Sequence, residues 1–221
     1  PCTEAALVDQ PARYVQAARA VIARPSRFPE VVAHLFDAEP GDATEGDVME
    51  MTVGDVQVQV RRRAAFTATE HARGAAMADL VSDVLARTPT VLGSSARRMG
   101  GGATPTFELV DRTVQASVQG VVVGVATLRP AEPGAEPGLH PVDLEVDPTW
   151  QRRGIGTRLL SDVARLAAGE GAQDILLTTR ADNQAVLPLV LAAGLRGRIR
   201  MSADVLTVRI PVRELRPLPR A

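Results

Sequence analysis

The sequence predicts a mixed α/β fold, a sheet with helices on both faces, preceded by a small helical extension. Three observations predict it. Val56, Val58 and Val60 alternate with Gln57, Gln59 and Arg61, the two-residue period of a half-exposed strand. Ile155, Leu159, Leu160, Val163 and Leu166 recur at steps of three and four, which makes one buried helical stripe. The run DILLTTR, Asp174 to Arg180, is apolar enough for a parallel strand buried inside a sheet.

The elements follow in order. Residues 1–47 read as a helical extension, in which Pro11 opens a helix carrying Tyr14, Val15, Ala18 and Ile22 that closes before Pro25. A second short helix, Phe28 to Phe36, buries Val31, Val32 and Leu35, and Pro40-Gly41-Asp42 breaks the chain. Residues 48–212 form the main domain. Its first strand follows a hairpin turn at Gly54-Asp55, and Thr67 or Thr69 caps a helix with Glu70 in its first turn. After a glycine run at Gly100 to Gly102 come strands at Phe107 to Val110, Val114 to Gln119 and Val121 to Arg129, the last two joined at Gln119-Gly120. Pro133, Gly134, Pro137 and Gly138 mark 130–141 as a loop, and Val142 to Val146 as the strand that feeds the striped helix. Two closing strands cover Arg198 to Met201 and Val205 to Val212, and residues 213–221 form a basic, proline-rich tail expected to fray.

Composition narrows the function classes. The chain has 221 residues, 45% of them hydrophobic, which suffices for a real core. No apolar run approaches the roughly 20 residues of a membrane span, and no basic-then-apolar leader stands at the start. A cytoplasmic protein without membrane contact is expected. The single cysteine, Cys2, excludes an internal disulfide, and a net charge of -1 argues against a nucleic-acid binder. Every cationic side chain is Arg, as the codon usage of a GC-rich genome produces. No His, Cys or carboxylate spacing points to a metal site.

The informative stretch is the bend between the last two elements of Val142 to Gly169. Gly154 and Gly156 take away the side chains that would hold a ligand off the backbone, and the first N–H groups of the helix lack a carbonyl partner. With Arg152 and Arg153 and the positive end of the helix dipole, they make a place for a phosphate or pyrophosphate. A Walker loop is excluded, because no Gly-Lys-Ser/Thr follows; a dinucleotide fingerprint is weakened by Leu159 at its third glycine. Gln151-Arg152-Arg153-Gly154-Ile155-Gly156 instead resembles the Q/R-x-x-G-x-G/A signature of the GNAT superfamily of acyl-CoA N-acyltransferases. A second block, Asn183 to Leu195, is similar to that family's N-x-x-A-x-x-L-Y-x-x-x-G-F helix, with Asn183, Leu189 and Gly194 in register.

The resemblance implies a mostly antiparallel sheet splayed at the strand that holds the cofactor, and acetyl transfer from acetyl-CoA to a small-molecule or protein amine by direct attack in a ternary complex. It implies that backbone groups of Leu144, Glu145 and Val146 meet the pantetheine arm, with the Val146 amide facing the thioester oxygen. Gln151, Arg152, Arg153, Gly154, Ile155, Gly156 and Thr157 would hold the pyrophosphate, and Asn183 would bond the cofactor or a water, or cap its helix. Asp143, Glu145 and Asp147 share one face of the strand; Glu145 is the preferred base, and a solvated face explains the same alternation. His140 is a weaker candidate. Where the family places its acidic tyrosine stands Val190, and Pro188 should shift or kink the helix. The thiolate then leaves unaided or through water, another group substitutes, or the protein is a non-catalytic acyl-CoA sensor. A nucleotide-binding Rossmann domain is the third reading. Exposed edge strands allow a homodimer.

Overall fold

The computed structural model describes residues 10–38, 46–87, 104–131, 134, 136–202 and 205–218. Cys2, the break at 40–42, the glycine run at 100–102 and the turn at 203–204 lie outside them. The chain forms two compact units, one of residues 1–89, 180–186 and 199–206, the other of residues 90–179, 187–198 and 207–221.

In the first unit, α1 (Gln10–Ala23) and α2 (Phe28–Leu35) precede the hairpin β1 (Asp47–Val53) and β2 (Val56–Arg62), and α3 (Ala68–Arg87) follows. The hairpin turns at Gly54-Asp55 as expected and pairs Met49 with Val60, Met51 with Val58 and Val53 with Val56, all six fully buried or nearly so. Helix α3 lies on that face, and Gly74 permits the approach: a Cβ there would stand 2.7 Å from the Met49 sulfur. Thr67 and Glu70 close a capping box, Thr67 Oγ1 accepting the Glu70 N–H at 3.2 Å and Glu70 accepting the Thr67 N–H at 2.8 Å. The face expected for α1 is corrected. Val15 and Ile22 are 55% and 52% exposed, while Ala17 and Val21 are buried, because the stripe that meets the rest of the unit runs one turn-position earlier.

In the second unit the strand order is β9-β7-β6-β5-β4-β3. The strands are β3 (Thr106–Val110), β4 (Thr113–Val118), β5 (Val121–Leu128), β6 (Leu139–Val146), β7 (Asp174–Arg180) and β9 (Val205–Pro211); β8 (Gly197–Ser202) falls mostly within the residues of the first unit. The pairings β3–β4, β4–β5 and β5–β6 are antiparallel, and β6–β7 is parallel, as a crossover through α4 (Ile155–Gly169) requires. This is the mixed, mostly antiparallel sheet the sequence predicts. Gln119 and Gly120 both have positive φ, the hairpin turn whose twist suits its strands. Helix α4 buries Ile155, Leu159, Leu160, Val163 and Leu166, the full stripe read from the sequence.

Two expectations need correction here. Strand β6 begins at Leu139, so His140 and Pro141 belong to the ladder opposite Ile175 and Leu176 rather than to a loop. The tail does not fray as far as it is described: the Leu218 N–H bonds the Arg165 carbonyl at 3.2 Å and Arg165 Nε bonds the Arg216 carbonyl at 3.0 Å. Among the described residues no helix is long and apolar enough to cross a membrane.

Candidate functional site

The site begins where β6 loses a partner. Its ladder with β5 continues to Val146, opposite Gly124, but its ladder with β7 stops at Val142 and Leu177. The Asp147 N–H bonds the Val123 carbonyl at 2.9 Å, which marks Val146 and Gly124 as a pair that exchanges no hydrogen bond. Alternation then fixes direction: the N–H groups of Leu144 and Val146 point away from β5 into the gap where β7 no longer pairs. Glu145 is different. Its own N–H and C=O belong to the ladder with Val125, so its backbone does not face the gap and only its side chain is available. The Val146 carbonyl accepts the Gln151 side-chain N–H at 3.1 Å, which ties the strand end to the following bend and leaves the Val146 N–H in the gap.

The bend is held by its own short-range bonds. Asp147 Oδ1 accepts the Thr149 N–H at 2.8 Å and its hydroxyl at 2.5 Å, and Trp150 N–H bonds the Asp147 carbonyl at 2.8 Å. These bonds hold the Asp147 carboxyl below its usual range, first through the Thr149 hydroxyl and then through its amide. Asp147 is therefore a turn-forming residue at the end of the strand face it shares with Asp143 and Glu145. Arg152 has φ of 60° and Gly154 φ of 80°, two left-handed residues that reverse the chain into α4. The first helical bond is Arg158 N–H to the Gly154 carbonyl, 3.1 Å, so the N–H groups of Ile155, Gly156 and Thr157 have no helical acceptor.

The two glycines are needed for different reasons. At Gly154 an added Cβ would meet nothing within 4 Å, and the requirement is the positive φ. Gly156 is a matter of space: its Cβ would stand 3.3 Å from Leu189 Cδ1 and 3.6 Å from Val146 Cγ2. Sequence reasoning missed a third, Gly124, where a Cβ would meet Leu159 at 3.0 Å and the Glu145 carbonyl at 3.2 Å; it lets the start of α4 sit on β5.

Of the carboxylates, Asp143 is 3.5 Å from Arg129 and exposed. Glu145 is exposed too, and its carboxylate makes no hydrogen bond or ion pair with any described residue. His140 Nδ1 lies 3.2 Å from the Arg129 carbonyl, a structural contact along the β5–β6 edge. Among the described residues no group of His, Cys, Asp and Glu is arranged to hold a metal.

Residues 103–194 match the family model of the acetyltransferase (GNAT) family. This segment belongs to the GNAT family. No curated protein is similar enough to match. Solved structures that resemble the chain include the ribosomal-protein-alanine N-acetyltransferase of Brucella melitensis, at 20% identity and a TM-score of 0.38, with 44% of this chain and 66% of that one covered, just under two thirds of its length. The ribosomal-protein-S18-alanine N-acetyltransferase of Escherichia coli is similar at 20% identity over 51% of this chain and 74% of its own, TM-score 0.37. A phosphinothricin acetyltransferase of Sinorhizobium meliloti, in complex with AcCoA, is similar at 19% identity over 45% and 60%, TM-score 0.39.

Measured against the GNAT pattern, α5 (Val186–Ala192) is where this chain departs from it. Val190 is 0% exposed, and its Cγ1 lies 3.1 Å from the position of a Gly197 Cβ, so it faces the core of the unit. The α5 residue turned to the bend is Leu189. Pro188 causes no kink, because α5 starts only at Val186 and a proline in the first turn removes an N–H that has no acceptor. Asn183 lies in the turn after β7, its Oδ1 accepting the Ala185 N–H at 3.1 Å, three residues short of the helix it was expected to cap.

Proposed function

We propose that the protein is an N-acyltransferase that moves the acetyl group of acetyl-CoA to a primary amine, by direct attack in a ternary complex. The observation that carries this reading is one place in a GNAT segment that combines a parted pair of strands, β6 and β7, with unpaired amides at Ile155, Gly156 and Thr157. The three N–H groups without a helical acceptor, at the N-terminal end of a 15-residue helix, support the fit of a diphosphate. When bound, coenzyme A supplies an acyl thioester whose thiol is a good leaving group.

The chain's own residues then have distinct tasks. The amides from Gly154 to Thr157, with Arg152 beside them, hold the diphosphate. Leu144 and Val146 present N–H groups to the pantetheine arm, and the Val146 N–H stands where it can donate to the thioester oxygen as that oxygen gains charge. Gln151 fixes that amide by holding the Val146 carbonyl. Glu145, exposed and without a partner among the described residues, takes the proton of the attacking amine, directly or through a water. Helix α5 contributes no acid, since Val190 faces the core, and the thiolate leaves without a proton from that helix.

Release of free thiol from acetyl-CoA over a panel of amines, run beside calorimetric binding of CoA, tests this. The panel spans N-terminal peptides, lysine peptides, polyamines, aminoglycosides and small amino metabolites. Release on at least one amine that drops in Glu145→Gln is the expected result. The second reading, an acyl-CoA sensor without turnover, is favoured by the buried Val190; CoA binding with no release on any amine establishes it instead.

A further inference from the structure

Within the proposed donor site, and resting on that reading of the bend, we propose that Arg153, stacked on Trp150, reads the ribose 3′-phosphate of coenzyme A and so separates CoA from its dephospho form. The bend carries more positive charge than the chain around it neutralises. No acidic residue lies between Asp147 and Asp162. Asp147 is turned to Thr149, and Asp162 to Arg158 Nε at 2.6 Å. Arg152 and Arg153, both exposed, make no ion pair or hydrogen bond with a described residue. The amide cradle already serves a diphosphate, and the one remaining anionic group of coenzyme A is the phosphate on its ribose.

Arg153 is the better placed of the two. Its guanidinium carbon lies 4.5 Å from the centre of the Trp150 ring. Stacking uses the flat face of the guanidinium and restricts a long side chain, while the in-plane N–H groups stay free for the fork geometry that a phosphate accepts. The backbone under Trp150 is anchored, its main-chain N–H bonded to the Asp147 carbonyl in the turn that Pro148 opens. Arg153 also stands between left-handed Arg152 and Gly154, at the apex of the reversal. The run Asp147, Thr149, Trp150, Arg153 is thus a support that carries one cation to a set position, with Trp150 as a positioning residue.

Calorimetric titration of CoA and dephospho-CoA into the full chain tests this. The expected result is CoA binding at least about tenfold tighter than dephospho-CoA at low salt, a ratio that shrinks as ionic strength rises. In Arg153→Gln the ratio falls to within about twofold, CoA losing more affinity than dephospho-CoA. Trp150→Leu, which keeps the charge and removes the platform, lowers the ratio partway, and Arg153→Lys does the same by losing the stack. Equal affinity of the two ligands for the unaltered protein, or a ratio that Arg153→Gln leaves in place, overturns the inference while leaving the donor site standing. Failure of both ligands to bind overturns the donor site as well.

Discussion

The first unit and the family-matched segment treat polar groups in opposite ways. In the first, charges answer each other: Arg62 holds Glu70 through two contacts of 2.8 Å and also donates to the carbonyls of Phe36, Ala64 and Ala65, and Glu50 takes both Gln57 and Gln59. Asp47 accepts the Phe66 N–H at 2.7 Å. Between Leu144 and Thr157, amides face an open gap, and among the described residues two arginines lack a carboxylate and Glu145 has no partner. Satisfied polar groups hold a fold; unsatisfied ones at a bend are groups left for something else to bind.

Four substitutions break or sharpen that contrast. The largest effect is expected from Gly156→Val, whose side chain would press on Leu189 and Val146 and push the first turn of α4 and its free amides out of place; CoA affinity by calorimetry should fall by about 100-fold or more. Next is Glu145→Gln, which should lower kcat by about 10- to 100-fold with CoA affinity unchanged, as expected for loss of a base outside the cradle. Glu70→Gln belongs to the other region. Its carboxyl is held down to about 2 from an ordinary 4.5, first by the hydrogen bonds of Arg62 and then by Thr67. A depressed carboxyl adds stability that is present above pH 4.5 and disappears as pH falls toward 2, so the substitution should cost about 2 kcal/mol at neutral pH by denaturant unfolding and flatten the acid limb of stability. CoA binding should not change. The smallest effect on the reaction is expected from Val190→Tyr, which restores the family's residue type but not its place. Overpacking beside Gly197 should lower stability by about 1–3 kcal/mol, and the rate should not rise.

What was legible in the sequence was local. The glycines at 154 and 156, the stripe of α4 and the alternation of β2 and β6 are set by neighbours within a few residues, and they appear where their spacing puts them, except that Gln59, on the face of β2 expected to be exposed, is buried. What was not legible depends on distant partners. The composition of 130–141 signals a loop, yet Leu139 to Pro141 join a strand because Asp174 to Leu176 stand beside them. Val15 and Ile22 have core spacing on a helix whose other face was chosen by packing. The direction of a backbone amide carries no sequence signal, so Glu145 was grouped with Leu144 and Val146 although the ladder turns it the other way. The stack of Arg153 on Trp150 had a faint signal, an aromatic three residues before an arginine at a bend, and geometry was needed to give it meaning.

The central claim is that the amides of β6 and of the bend receive coenzyme A, and amide NMR of the labelled protein during a CoA titration tests it most directly. The largest shifts should fall on Leu144, Val146 and Gly154 to Thr157, with the amides of β1, β2 and α3 nearly unmoved. Saturable binding whose shifts leave those amides in place, or no binding at millimolar CoA, would contradict the account.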